Sequence, residues 1–379
     1  MDSKNIEISD IQANPRKAAK PTPRPAQAEA ETKPFTTNTY EIDGQKVDVY
    51  SKEFHPSQTE NSKQDEAVLF IPGWSSGTGK NFEILGQAFA DEGGKNSYVI
   101  NSIAGHGLEA HRFATEARGL MEFIREKGLK KITIVGNSEG GAKALYLVDI
   151  LQEQFPDTAI DGLVLLAPIG LYDQEPEALA ARFAKESMRF YLKTDIKNAP
   201  KAFRQEYEER FRNYDPQGFL PQEIEEMGSG IKLFDTLNFY LGKLPAQLVD
   251  MSEEASVMQK IKCPVVLIQG RSDSVSKPEK VVGKEGLSNY QQRVRTLKEK
   301  FFPNSPDVSM ILPKRVGSHG IIHFRQEEIA KTSMYLLERT RRKNQPPGEK
   351  NPSPISTDSL EAVTLNPTAN DDKMLEIAS

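Results

Sequence analysis

Residues 131–148 read KITIVGNSEGGAKALYLV. The run 131–135, with Ile132, Ile134 and Val135, reads as a buried strand of a parallel sheet. It passes directly into Gly136-Asn137-Ser138-Glu139-Gly140, and helical spacing of apolar residues then holds over 141–155. A serine at such a junction sits on a tight turn at the carboxyl end of a strand, the edge where open α/β sheets bind ligands. Gly136 and Gly140 leave space that a Cβ at either position would fill. The start of the helix directs free N–H groups and the positive end of its dipole at the serine, which suits an oxygen that gains negative charge.

The flanking sequence repeats this alternation. AVLFI (67–71), SYVIN (97–101), GLVLLA (162–167), PVVLIQG (264–270) and VSMIL (308–312) read as buried strands, with helical patterns at 81–93, 111–127 and about 324–341. TYEID and QKVDVYS meet at Asp43-Gly44 and read as a hairpin. This order predicts a three-layer α/β architecture, a mostly parallel central sheet with helices on both faces. The segment 172–252 has no buried-strand signal and is too long for an ordinary crossover, so it reads as a helical insertion over one edge of the sheet. Residues 1–36 and 344–379 mix Pro, Ala and charge with little to bury and are expected to be disordered tails around a domain at 37–343.

Composition narrows the function classes. The chain has 379 residues, 49 Lys+Arg against 54 Asp+Glu and a net charge of −5, which gives no basic excess for nucleic acid or an anionic membrane. Its one cysteine, Cys263, excludes an intramolecular disulfide framework and a cysteine metal cluster, and it is expected only to pack. No apolar run approaches the ~18 residues of a membrane helix. The start MDSKNIEISDIQANPRK carries no signal-peptide core, so a cytoplasmic location is expected. No HExxH, GxGxxG or phosphate-loop lysine motif is present, so neither metal nor cofactor is called for.

The G-x-S-x-G pattern of 136–140 occurs a second time, at Gly73-Trp74-Ser75-Ser76-Gly77. There Pro72 follows the strand and Thr78-Gly79 delays the helix, so Ser75 lacks the strand-turn-helix setting and Ser138 is the candidate nucleophile. The 72–77 loop can instead supply the Trp74 N–H, which with the Glu139 N–H would form an oxyanion hole; the alternative is a plain Gly-rich connection. A serine nucleophile needs a base and the base an orienting acid. Asp273, just past the strand at 264–270, is the candidate acid, against a turn- or helix-capping role. Of the five histidines only His319 and His323 follow it. His319 lies in a loop between Gly317 and Gly320, and His323 opens the last helix.

With these residues in place, the stretch from 39 to 341 resembles the α/β-hydrolases. The order Ser138, Asp273, His319 is that family's order, and the resemblance implies that His319 rather than His323 is the base. INSIAGHGLEA (100–110) resembles the family's Gly-His-Gly loop, which makes His106 structural, and 172–252 occupies the place of its helical lid. VGNSEGGAKAL (135–145) also resembles the corresponding turn of carbon–carbon bond hydrolases of aromatic degradation, although Glu139 replaces the usual apolar neighbour. The implied function is a serine hydrolase that cleaves a carboxylic ester, thioester or amide through an acyl-enzyme, without cofactor. Its expected partner is a small, partly apolar acyl substrate; most of the aromatic residues spread from Tyr172 to Tyr240 are expected to pack the lid's own helices, with some faces turned toward that substrate. Two alternatives stand beside it: a non-catalytic binding or signalling protein on the same fold, and an acyltransferase in which an alcohol resolves the acyl-enzyme.

Overall fold

The structure, a computed structural model, describes residues 35–57, 64–73, 80–104, 112–172, 178–179, 181–182, 254–271, 273–312 and 326–344. Its first unit is the expected hairpin, β1 (Thr36–Ile42) and β2 (Gln45–Phe54), antiparallel with Ile42 opposite Gln45. Asp43 and Gly44 both take positive φ, 50° and 79°, the two-residue turn whose twist matches that of the strands. Then follow β3 (Glu66–Ile71), α1 (Lys80–Gly93), β4 (Asn96–Ala104), α2 (Arg112–Glu126), β5 (Lys131–Asn137), α3 (Glu139–Gln154) and β6 (Ala159–Leu166). The second half holds α4 (Glu254–Lys260), β7 (Val265–Ile268), α5 (Pro278–Gly286), α6 (Tyr290–Lys300), β8 (Val308–Ile311) and α7 (Gln326–Asn344).

The eight strands form one sheet in the order β1-β2-β4-β3-β5-β6-β7-β8. β2 runs antiparallel to β1 and β4, and every pair from β4–β3 to β7–β8 is parallel. Alternate residues of each parallel strand enter two separate cores. Leu69, Ile134, Leu165, Leu267 and Met310 face the core shared with α2 and α3, to which α4, α5 and α6 also contribute. Phe70, Val135, Val164, Val266 and Ile311 face the other core, shared with α1 and α7. Each such side chain, once fully buried, contributes about 1.5–3 kcal/mol. This two-sided demand explains why AVLFI, GLVLL and VVLI read as unbroken apolar runs.

The three-layer α/β expectation therefore holds. Boundaries move a little: β1 begins at Thr36, three residues before the TYEID stretch, and α3 begins at Glu139, two residues before its apolar spacing becomes legible. α4, α5 and α6 were not expected. α6 buries only Arg293 and Leu297, too thin a stripe to register as helical periodicity, and its start is set by Asn289, whose side chain accepts from Gln292 N at 3.0 Å. The tails at 1–36 and 344–379 and the insertion at 172–252 lie outside the described residues, save for residues 35–36, 172, 178–179, 181–182 and 344.

Candidate active site

Ser138 joins β5 to α3 with φ 50° and ψ −118°, a region that L side chains rarely enter. Holding a non-glycine residue there costs about 1–3 kcal/mol, so the surrounding structure must impose it. The imposing contacts are visible. Ser138 N donates to Leu166 O at 3.0 Å, and Ser138 O accepts from Gly141 N at 3.0 Å and Ile169 N at 3.2 Å. Asn137 Nδ2 donates to the same Leu166 carbonyl at 2.9 Å. A Cβ on Gly136 would stand 2.5 Å from Gly140 O, and one on Gly140 would stand 2.2 Å from Ile71 O and 2.4 Å from Pro72 O. Both glycines thus permit backbone to touch backbone, as their spacing around the serine implied.

The last of these contacts brings the end of β3 onto the first turn of α3. Gly73 completes it: a Cβ there would lie 2.9 Å from Ser138 Cβ and 3.2 Å from Asn137 O. The backbone immediately before Trp74 therefore passes against the nucleophile candidate. Trp74 itself, Ser75, His106, His319 and His323 lie outside the described residues. Glu139 is the first residue of α3, and its side chain is buried against Lys143, with Oε1 to Nζ at 3.5 Å.

Asp273 lies past β7, on the same carboxyl edge of the sheet as Ser138, with β6 between their strands. At the usual strand spacing β5 and β7 are about 10 Å apart. Asp273 is buried, and its Oδ1 accepts from Val275 N at 2.9 Å and Ser276 N at 3.0 Å. Ser276 Oγ donates to Asp273 Oδ2 at 2.5 Å and accepts from Gln269 Nε2 at 2.8 Å. The carboxylate thus does cap a turn, the alternative weighed for it, and that turn fixes its orientation at the sheet edge. β8, which precedes His319 in sequence, is β7's immediate neighbour. Ser276 and Gln269 were not foreseen; the signal was the Asp-x-x-Ser spacing, which reads as a side-chain-capped turn.

Burial acts on two further groups, Tyr172 near Asp273 and Cys263 at the opposite end of β7. Burial pushes the Tyr172 hydroxyl up to about 12, opposed by Arg182 and reinforced by Glu279 and Asp273, so it stays protonated beside the acid candidate. Burial likewise pushes the Cys263 thiol up to about 12, the state of a packing cysteine. Among the described residues, no group of three or more His, Cys, Asp or Glu side chains could hold a metal ion, and no helix is long and apolar enough to cross a membrane.

No protein-family profile matches the chain. A curated protein from Cyberlindnera fabianii, named a probable alcohol acetyltransferase, is 27% identical over 263 residues, 64% of this chain and 65% of that protein. The chain thus spans less than two thirds of that relative's length. Among solved structures, an α/β-hydrolase enzyme from a Medee basin deep-sea metagenome library is similar at 12% identity, covering 83% of this chain and all of the other (100%), with a TM-score of 0.48. An esterase from Exiguobacterium antarcticum is similar at 15% identity, covering 80% of this chain and 99% of the other, with a TM-score of 0.46. The chain's own strand order, its antiparallel β2 beside a parallel run, and a positive-φ serine between β5 and α3 are the features of one architecture, and the chain has the three-layer α/β-hydrolase fold.

Proposed function

We propose that the chain is a serine-dependent acyl-transfer enzyme with Ser138 as nucleophile. The observation that carries this reading is the imposed backbone of Ser138 at φ 50°, held between β5 and α3 with Gly73 packed against its side chain. Strain of this kind clusters at catalytic sites, where the surrounding structure over-determines it. In the reading, Ser138 Oγ attacks the carbonyl carbon of an ester, thioester or amide while His319 takes its proton. Asp273 orients His319 and stabilises its positive charge. The Glu139 and Trp74 N–H groups receive the negative oxygen. His319 then returns the proton to the departing group as its bond to the carbonyl carbon breaks, leaving the acyl group on Ser138. Residues 172–252 are read as the lid over this site.

Water or an alcohol can resolve the acyl-enzyme. The relative named a probable alcohol acetyltransferase supports a short acyl group and keeps transfer to an alcohol as the second reading. A fluorophosphonate probe should label the native protein and not Ser138→Ala. Hydrolysis of p-nitrophenyl acetate with and without added ethanol separates the two outcomes: growth of ethyl acetate at the expense of acetate marks transfer. Equal labelling of Ser138→Ala and the native protein would refute the assignment, and absence of labelling from both would favour the non-catalytic alternative.

A further inference from the structure

Directly behind the Ser138 turn lies a buried ion cluster that the proposed reaction does not use. Lys143, one turn into α3, is 4% exposed, and Glu139 and Glu116 are each 2% exposed. The Lys143 ammonium lies 2.8 Å from Glu116 Oε2, on α2, and 3.5 Å from Glu139 Oε1. It also donates to Asn101 Oδ1 at 3.2 Å and Ser102 O at 3.1 Å, both on β4 near its carboxyl end. Burying ions in this way is costly, and well-packed apolar replacements are often as stable or more so, so stability alone gives no reason for the cluster.

Position supplies a reason. Glu139 is the residue whose backbone N–H would receive the oxyanion formed on Ser138, and its carboxylate stands in the same low-dielectric surroundings. A buried negative charge there opposes the negative oxygen of the transition state and acts much less on the uncharged substrate. We propose that Lys143 is a positioning residue of this site: shared between the Glu139 and Glu116 carboxylates, it offsets negative charge beside the turn and ties the first turn of α3 to α2 and β4, so that the Glu139 N–H faces the oxyanion against less opposing charge. Lys143 touches neither substrate nor Ser138 in this role. The inference rests on the acyl-transfer reading above.

The test is a set of charge-removing variants assayed on p-nitrophenyl acetate, with each kcat referred to the fraction of enzyme that a fluorophosphonate titrates. Lys143→Met removes the ammonium that faces Glu139 and Glu116; kcat should fall roughly tenfold or more while KM stays within about threefold. Adding Glu139→Gln, which keeps the backbone N–H and removes the charge, should recover most of that loss. If Lys143→Met does not fold, the comparison is made in a Glu116→Gln background, which strands one carboxylate fewer. If that also fails, the triple neutral variant is read against wild type and should lie within about tenfold in kcat. A merely structural cluster predicts lower melting temperatures with unchanged kcat per titrated site, and that result would overturn the proposal. So would a variant with Glu139→Gln that is no faster than its Lys143→Met parent, or a triple variant more than a hundredfold below wild type. Failure of the acyl-transfer reading itself appears separately, as a native enzyme that the titrant does not label at Ser138.

Discussion

Gly140→Ala puts the geometry around Ser138 to its sharpest test. The added methyl would meet two backbone oxygens, Ile71 O at 2.2 Å and Pro72 O at 2.4 Å. Ordinary separations are about 3.5 Å, so either the end of β3 or the first turn of α3 must move by about 1 Å. Neither oxygen sits on a flexible side chain that can swing away. Overpacking of this kind costs about 1–3 kcal/mol, which in a domain of this size lowers Tm by about 2–5 °C. The same shift separates the Gly73–Trp74 backbone from Ser138, and a 1 Å misplacement in a catalytic constellation costs about a hundredfold in rate. Gly128→Ala is the matched control: at φ 64° with nothing within 4 Å, the substitution incurs only the left-handed backbone penalty of about 1–2 kcal/mol. Thermal melts should therefore show two similarly destabilised proteins, and p-nitrophenyl acetate turnover should be lost only in Gly140→Ala. If the two variants had kcat values within threefold of each other, β3 would not pack on α3 as described and the oxyanion reading would fall with it.

Ser138→Ala should lower turnover at least about a thousandfold while the far-ultraviolet circular dichroism stays native. Ser138→Gly should be equally inactive but melt higher than Ser138→Ala, because glycine accepts φ 50° without strain; a lower melt for the glycine variant would contradict an imposed backbone at this residue. With the Cys263 thiol pushed up to about 12, native protein at pH 8 should react with Ellman's reagent only in step with unfolding, so stoichiometric native labelling within minutes would refute its burial. His319→Gln should abolish hydrolysis of an activated ester and His323→Gln should leave it largely intact; the reverse pattern would move the base to His323.

What the sequence disclosed and what it withheld follow the range of the interactions. The Ser138 turn was legible because its causes are local: a buried strand, two glycines at fixed spacing and a helix that begins at once all fall within one short stretch. The parallel strands were legible because two cores, one under α2 and α3 and one under α1 and α7, leave no polar face to interrupt them. The contact of Gly73 with Ser138 was not, since it exists only because β3 and β5 are neighbours in the sheet. The turn that fixes Asp273 was half visible, as an Asp-x-x-Ser spacing, while the Gln269 donor behind Ser276 depends on how the chain folds back after β7. Glu139 shows the difference most directly. In the sequence it is a departure, a charge where the similar turn of the carbon–carbon bond hydrolases has an apolar side chain. In the structure Lys143 lies one turn further along α3, on the same face at i+4, and its shorter ion pair is to Glu116 on α2, a partner that no local pattern reveals. On the acyl-transfer reading, a carboxylate this close to a nascent oxyanion requires a fixed cation, and Glu116 on α2 helps to hold that cation in place, so that the departure becomes part of the site's construction.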